Sequence, residues 1–240
     1  MKAVRKRAVV RGRAVRPLPP EAVERLRRQM PSDRDAALVS VLAYAGLRPG
    51  EALALTWGHV CERTILVERA VSYGELKSTK TRATRSVRIL APLKVELAEL
   101  RLRNGRPDDR ELVFPAQNGR PWDDDDWKNW RRRAFATAAK QAGLTDVRPY
   151  DLRHSFVSLL IAEGRSIVDV ARQAGHSATM ALDTYGHVFD ELDGAEKVVP
   201  EQAILQARNV RYDLVATQRH QERKRVASEG NVIPLFAGVS

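Results

Sequence analysis

Apolar residues recur at helical spacing along most of this chain, and the runs are punctuated by glycine and by capping serine or aspartate. Leu18-Pro19-Pro20-Glu21 opens a first helix, since proline is tolerated in a first turn, and Val23, Leu26 and Met30 form its apolar stripe. Ser32 with Asp35 three residues on predicts a second helix through Val39 and Leu42, ended by Gly46. Arg48 follows in AGLRPGEALAL, where Pro49 and Glu51 begin a third helix carrying Leu53 and Leu55. An arginine in a tight turn between packed helices has a rigid mounting.

The period then changes. Ile65 and Val67, and later Arg85, Val87 and Ile89, alternate as strands do, with the polar piece YGELKSTKTRAT between them. Residues 64–90 therefore predict a small antiparallel sheet whose connection carries Lys77, Lys80 and Arg82. A basic hairpin of this kind serves either as a solvated edge that blocks aggregation or as a surface against phosphates. Pro92 begins a helix with Leu93, Leu97 and Leu100, stopped at Asn104-Gly105, and Leu112-Val113-Phe114 is a short apolar piece. Asp123 to Asp126 precede Trp127, Trp130, Phe135 and Ala138, which reads as a helix with carboxylates at its positive end and aromatic residues on its core face. Asp151 starts a run with Leu152, Phe156, Leu159 and Leu160 that Gly164 stops; Ser166 with Asp169 starts the next helix, and Gly175 ends it. Ala203, Ile204, Leu205 and Ala207 suggest one further helix before a loose tail. The fold class expected is α+β, mainly helical with a small antiparallel sheet.

Composition adds a partner. The 240 residues are 43% hydrophobic, enough for a core, and 41 Lys and Arg stand against 30 Asp and Glu for a formal charge of +11, so a polyanion is the natural ligand to consider. Residues 1–16 hold Lys2, Arg5, Lys6, Arg7, Arg11, Arg13 and Arg16 with no acid, as a phosphate-tracking arm or a solvated leader. The charge turns acidic at Asp190, Glu191, Asp193 and Glu196 and basic again at Arg219 to Arg225. Cys61 is the sole cysteine, which rules out an intrachain disulfide and a cysteine-based zinc cluster and favours a reducing compartment. The sequence has no apolar run near the roughly 20 residues of a membrane span. The first residues carry charge without an apolar h-region, so no secretory signal is evident.

The candidate chemistry narrows by what is missing. A Gly-Lys-Ser/Thr phosphate loop, an HExxH pair and a nucleophile elbow are absent, and His59 with Glu62 is too thin a signal for a metal. What remains is a set of cations and imidazoles with one phenol, concentrated in residues 150–187: Tyr150, Arg153, His154, Gly175-His176, and Tyr185 between Thr184 and Gly186-His187. Guanidinium groups suit a phosphodiester under attack, because they stay charged and present forked donors; lysine or histidine can protonate the leaving oxygen. A tyrosine attacking phosphorus gives a covalent intermediate that conserves bond energy for religation, without metal or nucleotide cofactor.

AGLRPGEALAL, the basic hairpin with TKT, YDLRHSFVSLLIAEG and GHSATMALDTYGH, in this order, resemble the catalytic domain of the tyrosine recombinases, the phage-integrase family, over about residues 18–190. The resemblance implies that Arg48 and Arg153 clamp the scissile phosphate and that Lys80 protonates the leaving 5′-oxygen. It further implies that His176 hydrogen-bonds the phosphate and that Tyr185 is the nucleophile forming a 3′-phosphotyrosyl bond. It implies a fold that is mainly helical with a small antiparallel sheet, and work on double-stranded DNA in a homo-tetramer over paired sites. A directionality factor as further partner, a cytoplasmic, nucleoid-associated location, no metal or cofactor and no membrane complete the expectation.

Two departures stand out. Where the family usually has histidine at the head of HxLRH, this chain has Tyr150, whose phenol, with a reference pKa of ~10 against ~6.5 for imidazole, can donate a hydrogen bond but is no general base at neutral pH. Members usually carry a helical DNA-clamping domain ahead of the catalytic one, and here residues 1–17 form only a basic arm or linker remnant, residues 18–190 the catalytic domain, and residues 191–240 a C-terminal helix and tail. His154 and His187 read as structural hydrogen-bonding groups at helix ends, and ion pairing with Glu51 and Asp151 is the plain alternative for Arg48 and Arg153. Function is thus expected to be site-specific DNA recombination, with a non-catalytic DNA-binding remnant or regulator as the alternative and a relaxing topoisomerase as a third reading.

Overall fold

The computed structural model describes residues 17–72, 74–78 and 84–209. Its centre is a helix, Asp33–Tyr44, in which every residue from Asp35 to Tyr44 is buried. A helix apolar on all sides is stable only when other elements surround it. Here they are α1 (Pro20–Arg28) on one side, with α4 (Ala91–Arg103) and α7 (Asp151–Ala162) on others, so the central helix is α2. Ser32 caps α2 by accepting from the Asp35 backbone N–H at 3.1 Å, as the spacing predicted. Gly46 then takes φ +60°, a left-handed turn that brings α3 (Pro49–Leu53) back with Arg48 as its N-cap residue.

Four strands follow: β1 (Thr64–Val67), β2 (Arg69–Ser72), β3 (Glu75–Ser78) and β4 (Arg85–Arg88). They form two separate two-stranded ladders, β1 with β4 and β2 with β3, both antiparallel. The outer pairing was legible, since Ile65 lies opposite Val87 and both are fully buried. The stretch expected to be a connection is partly a ladder of its own, in which Lys77 pairs with Ala70 as a strand residue. Its alternation was masked because Glu75, Leu76 and Lys77 on β3 are exposed and β2 packs only the partly buried Val71 against the core. Lys80 and Arg82 lie outside the described residues, as do residues 1–16 and 210–240.

The acidic run behaves as read. Asp123 caps α5 (Asp124–Asn129), accepting from the Asp125 and Asp126 N–H groups at 3.0 and 2.8 Å. The helix passes through one π-helical turn, Trp130–Phe135, into α6 (Ala136–Gln141). Beyond it come α7, α8 (Ile167–Ala174) and α9 (Ala178–Leu192), joined at Gly164 and Gly175, both with positive φ. Residues 200–209 are helical and fold back onto the core, burying Ile204 and Ala207. Arg208 fixes this segment: its guanidinium donates to Glu24 at 3.0 Å, to Glu96 at 2.6 Å and to the Pro92 carbonyl at 3.0 Å. Among the described residues no helix is long and apolar enough to cross a membrane.

Candidate active site

Two glycine-marked turns, α2–α3 and α8–α9, meet beside α7. Gly46 lies within the α2–α3 turn, Gly175 takes φ +65° as the left-handed cap of α8, and Ser177 in the same α8–α9 turn caps α9 by accepting from the Met180 N–H at 3.1 Å. Arg48, His176 and Tyr185 are mounted on these elements, and Arg153 comes from the first turn of α7.

Arg153 is the hub. Its residue is 1% exposed, and it donates to the Gly46 carbonyl through Nη1 and to the Ala174 carbonyl through Nη2. Nη2 also lies 3.0 Å from His176 Nε2, while Nε has no partner among the described residues. Burial, reinforced by the nearby Arg48, pulls its pKa down to about 10, which still leaves the guanidinium charged at neutral pH. Asp151, considered as its ion-pair partner, instead accepts the Arg148 backbone N–H at 2.8 Å.

Arg48 is held differently. Its backbone N–H and Nη1 both donate to Glu51, each at 2.8 Å, and Nη2 donates to the Gly175 carbonyl at 2.8 Å. The ion pair with Glu51 is therefore real, yet the Arg48 side chain remains 38% exposed, with donor hydrogens left over. Glu51 also takes a forked pair from Arg85, at 2.9 and 2.7 Å. Burial alone would raise the Glu51 pKa; the bonds from Arg85 and then Arg48 outweigh it and bring the carboxyl to about 2. Arg85 Nε reaches the Gln173 carbonyl at 3.0 Å, and its guanidinium covers Gly175 so closely that a Cβ there would lie 3.1 Å from it.

Because an arginine N–H can only donate, His176 Nε2 is the acceptor in its contact with Arg153, which puts the ring proton on Nδ1. That nitrogen is buried and has no partner among the described residues. Burial first, then Arg153, Arg48 and Arg85, hold the His176 pKa at about 4, so the ring is neutral at neutral pH. It stacks on Tyr185, with centroids 6.3 Å apart and planes 16° from parallel.

Tyr185 is 0% exposed, and its Oη lies 2.8 Å from His154 Nδ1. Burial pushes its pKa up to about 12 against the pull of Arg153. Tyr150 sits at the N-cap of α7, 42% exposed, with its ring edge-on to His154 at 5.5 Å.

The structure thus brings together Arg48, Arg153, His176 and Tyr185, with Tyr150 at the rim; Lys80 lies outside the described residues. Sequence reasoning did not place His154 or Arg85 in the site, and it read Glu51 only as an ion-pair partner of Arg48. Arg85 had a signal, because it shares the alternation phase of Val87 and Ile89, and an arginine in a core-facing phase needs a buried acid. His154 had none: a contact between α7 and α9 cannot be read from either helix alone. His59 pairs with Glu68 at 3.1 Å, and no group of three or more metal-ligating side chains occurs among the described residues.

Comparison with known proteins adds to this geometry. The phage integrase family model matches residues 17–191. An integrase of Streptomyces ambofaciens is 34% identical over 168 residues, covering 61% of this chain and 42% of its own. The chain spans less than half the length of the curated relatives it matches. Among solved structures, XerA recombinase superposes with a TM-score of 0.58 at 25% identity, over 75% of this chain and 64% of that one. The integrase of transposon Tn1549, solved with a circular intermediate DNA, gives 0.61 at 19% identity over 73% and 62%, a likeness of fold.

Proposed function

The chain belongs to the phage integrase family, and from that premise we propose that it cuts and rejoins double-stranded DNA at specific sites through a 3′-phosphotyrosyl bond to Tyr185. The observation that carries the reading is the convergence of two guanidiniums, a neutral imidazole whose buried N–H has no partner among the described residues, and a phenol, from segments up to 137 residues apart in sequence (Arg48 to Tyr185).

Each group has a task in an in-line displacement. Tyr185 Oη attacks phosphorus as the bond to the 5′-oxygen breaks. Negative charge on the non-bridging oxygens meets Arg48, which has donors to spare, and the Nε–H of Arg153. His176 Nδ1–H supplies a neutral donor, and an unpaired buried donor gains most from meeting a phosphate oxygen. Lys80 is the proposed acid for the 5′-oxygen. The energy of the broken bond is kept in the phosphotyrosine, so the reverse reaction needs no nucleotide, and the scheme assigns no step to a metal. Tyr185 has no exposed surface, so α9 or the side chains covering it must shift before a phosphate reaches it.

A homo-tetramer on paired sites, with a directionality factor, is the assembly this reading calls for, in the cytoplasm at the nucleoid. The proposed divisions are a basic arm at 1–17, the catalytic domain at 18–190 and a C-terminal segment at 191–240.

The test is a pool of nicked suicide duplexes with randomised sequence around the nick, incubated in EDTA without nucleotide. Covalent adducts that survive denaturant, and that Tyr185→Phe abolishes, support the proposal. Mobility shifts by both proteins with no adduct from either would mean a DNA-binding regulator instead.

A further inference from the structure

We propose that His154 is a catalytic residue, accepting the Tyr185 phenol proton during cleavage and returning it during rejoining. The inference rests on the strand-cleavage reading above.

At a pKa of about 12, Tyr185 is protonated at neutral pH, and its oxygen attacks phosphorus effectively only as the proton leaves. A base within hydrogen-bond reach of Oη is therefore required. His154 Nδ1 meets that geometric condition at 2.8 Å. The other two candidates at the site do not. His176 lies parallel to the Tyr185 ring, and its Nε2 is already taken by Arg153. Tyr150 is a second phenol, with a reference pKa of ~10, and its ring meets the edge of His154 rather than Oη.

The surroundings of His154 suit both halves of the task. Burial lowers its pKa from the ordinary histidine value, so the ring waits neutral. Arg153 on α7 acts in the same direction, whereas Asp151, one turn earlier on the same helix, favours the imidazolium that forms when the proton arrives. Tyr185 faces it from α9, His176 from the α8–α9 turn and Tyr150 from the α7 cap.

In cleavage the phenol proton moves to His154 Nδ1 while the Oη–phosphorus bond forms. The phosphorus–oxygen bond breaks, and the 5′-oxygen leaves with that electron pair and takes a proton from Lys80. In rejoining the 5′-hydroxyl attacks phosphorus, its proton returns to the lysine, and Oη departs and recovers its proton from His154. An imidazole one helical turn beyond Tyr150 thus does the work for which the phenol at 150 is unsuited.

Two measurements test this. Nitrogen-15 NMR of the free wild-type protein at neutral pH should show His154 Nδ1 unprotonated and Nε2 protonated; a proton on Nδ1 would overturn the proposal, since that nitrogen could then only donate to the phenol. Single-turnover cleavage of a duplex recovered from the selected pool gives the second. His154→Asn keeps a hydrogen-bonding group near the Nδ1 position but cannot take up a proton. It should cleave at least about 100-fold more slowly than wild type near neutral pH. Its rate should then climb about tenfold per pH unit with the phenolate fraction, while the wild-type rate stays flat from about pH 7 to about pH 9. Equal rates, or a slow variant with a flat profile, would count against a proton-transfer role. A wild-type protein giving no Tyr185-dependent adduct would instead remove the cleavage reading itself, and this inference with it.

Discussion

Replacing Glu51 with glutamine removes one negative charge from a carboxylate that is 4% exposed and accepts four hydrogen bonds, two from Arg48 and two from Arg85. The shape is conserved, but the new amide points a donor at guanidinium donors. Two routes give the magnitude. The fall of the Glu51 pKa from 4.5 to about 2 corresponds to roughly 3 kcal/mol of preferential binding of the charged form. Removing one partner of a buried ion pair costs about 3–5 kcal/mol in general. Glu51→Gln should therefore lose about 3 kcal/mol near neutral pH, a drop of roughly 10 °C in Tm for a domain of this size. The pH dependence follows from the direction of the shift. A carboxyl whose folded pKa lies below its unfolded one stabilises fully above the unfolded value of 4.5, and the contribution disappears as pH falls toward about 2. Urea titrations of both proteins should show the gap at neutral pH closing across that window. A gap within about 0.5 kcal/mol at neutral pH, or one that does not shrink with acid, would refute the view that Glu51 is the charged anchor of the arginine cluster.

Three further outcomes are expected. Gly46→Ala places a Cβ into the Phe156 ring at a residue with φ +60°, and urea unfolding should show a loss of at least about 2 kcal/mol. Arg208→Ala withdraws one of the two guanidiniums on buried Glu24, leaving Arg27; a loss of about 2 kcal/mol is predicted, read as a lower urea midpoint. Arg85→Ala releases both Glu51 and the Gln173 carbonyl, and single-turnover cleavage should slow by about 100-fold as Arg48 and the His176 turn lose their common tie, with only partial recovery in Arg85→Lys, which has charge but no fork.

The fold was legible wherever local chemistry decides it. Ser32 and Ser166 cap the helices they were read to cap, the carboxylates from Asp123 stand at a helix start as read, and Gly46, Gly164 and Gly175 all take the left-handed conformation that stops a helix. Burial by period also held: Ile65, Val67 and Val87 face the core. The β2–β3 ladder was not legible, because Val71 is the one described residue of the two strands that packs on the core, too little to show as an alternating stripe. The π-helical turn at Trp130–Phe135 did leave a trace, the five-residue step between buried Trp130 and Phe135 where an α-helix gives three or four, but a single irregular step within an otherwise helical pattern was read as plain helix. At the site, Arg48 and Glu51 were a pair readable at three residues' separation, whereas the links from Arg85 to Glu51 and from His154 to Tyr185 exist only once β4 lies beside α3 and α9 beside α7. The role given to His154 moved most: its place in the first turn of α7 suggested a structural bond, and that bond ends on the phenol oxygen.

Peptide mass spectrometry shows whether Tyr185 becomes covalently joined to DNA. After incubation with the nicked pool, nuclease trimming and proteolysis, the peptide containing Tyr185 should carry a nucleotide through a 3′-phosphodiester, and Tyr185→Phe should yield no such peptide. A nucleotide on any other residue, or none under conditions where the protein binds the DNA, would contradict the covalent role of Tyr185.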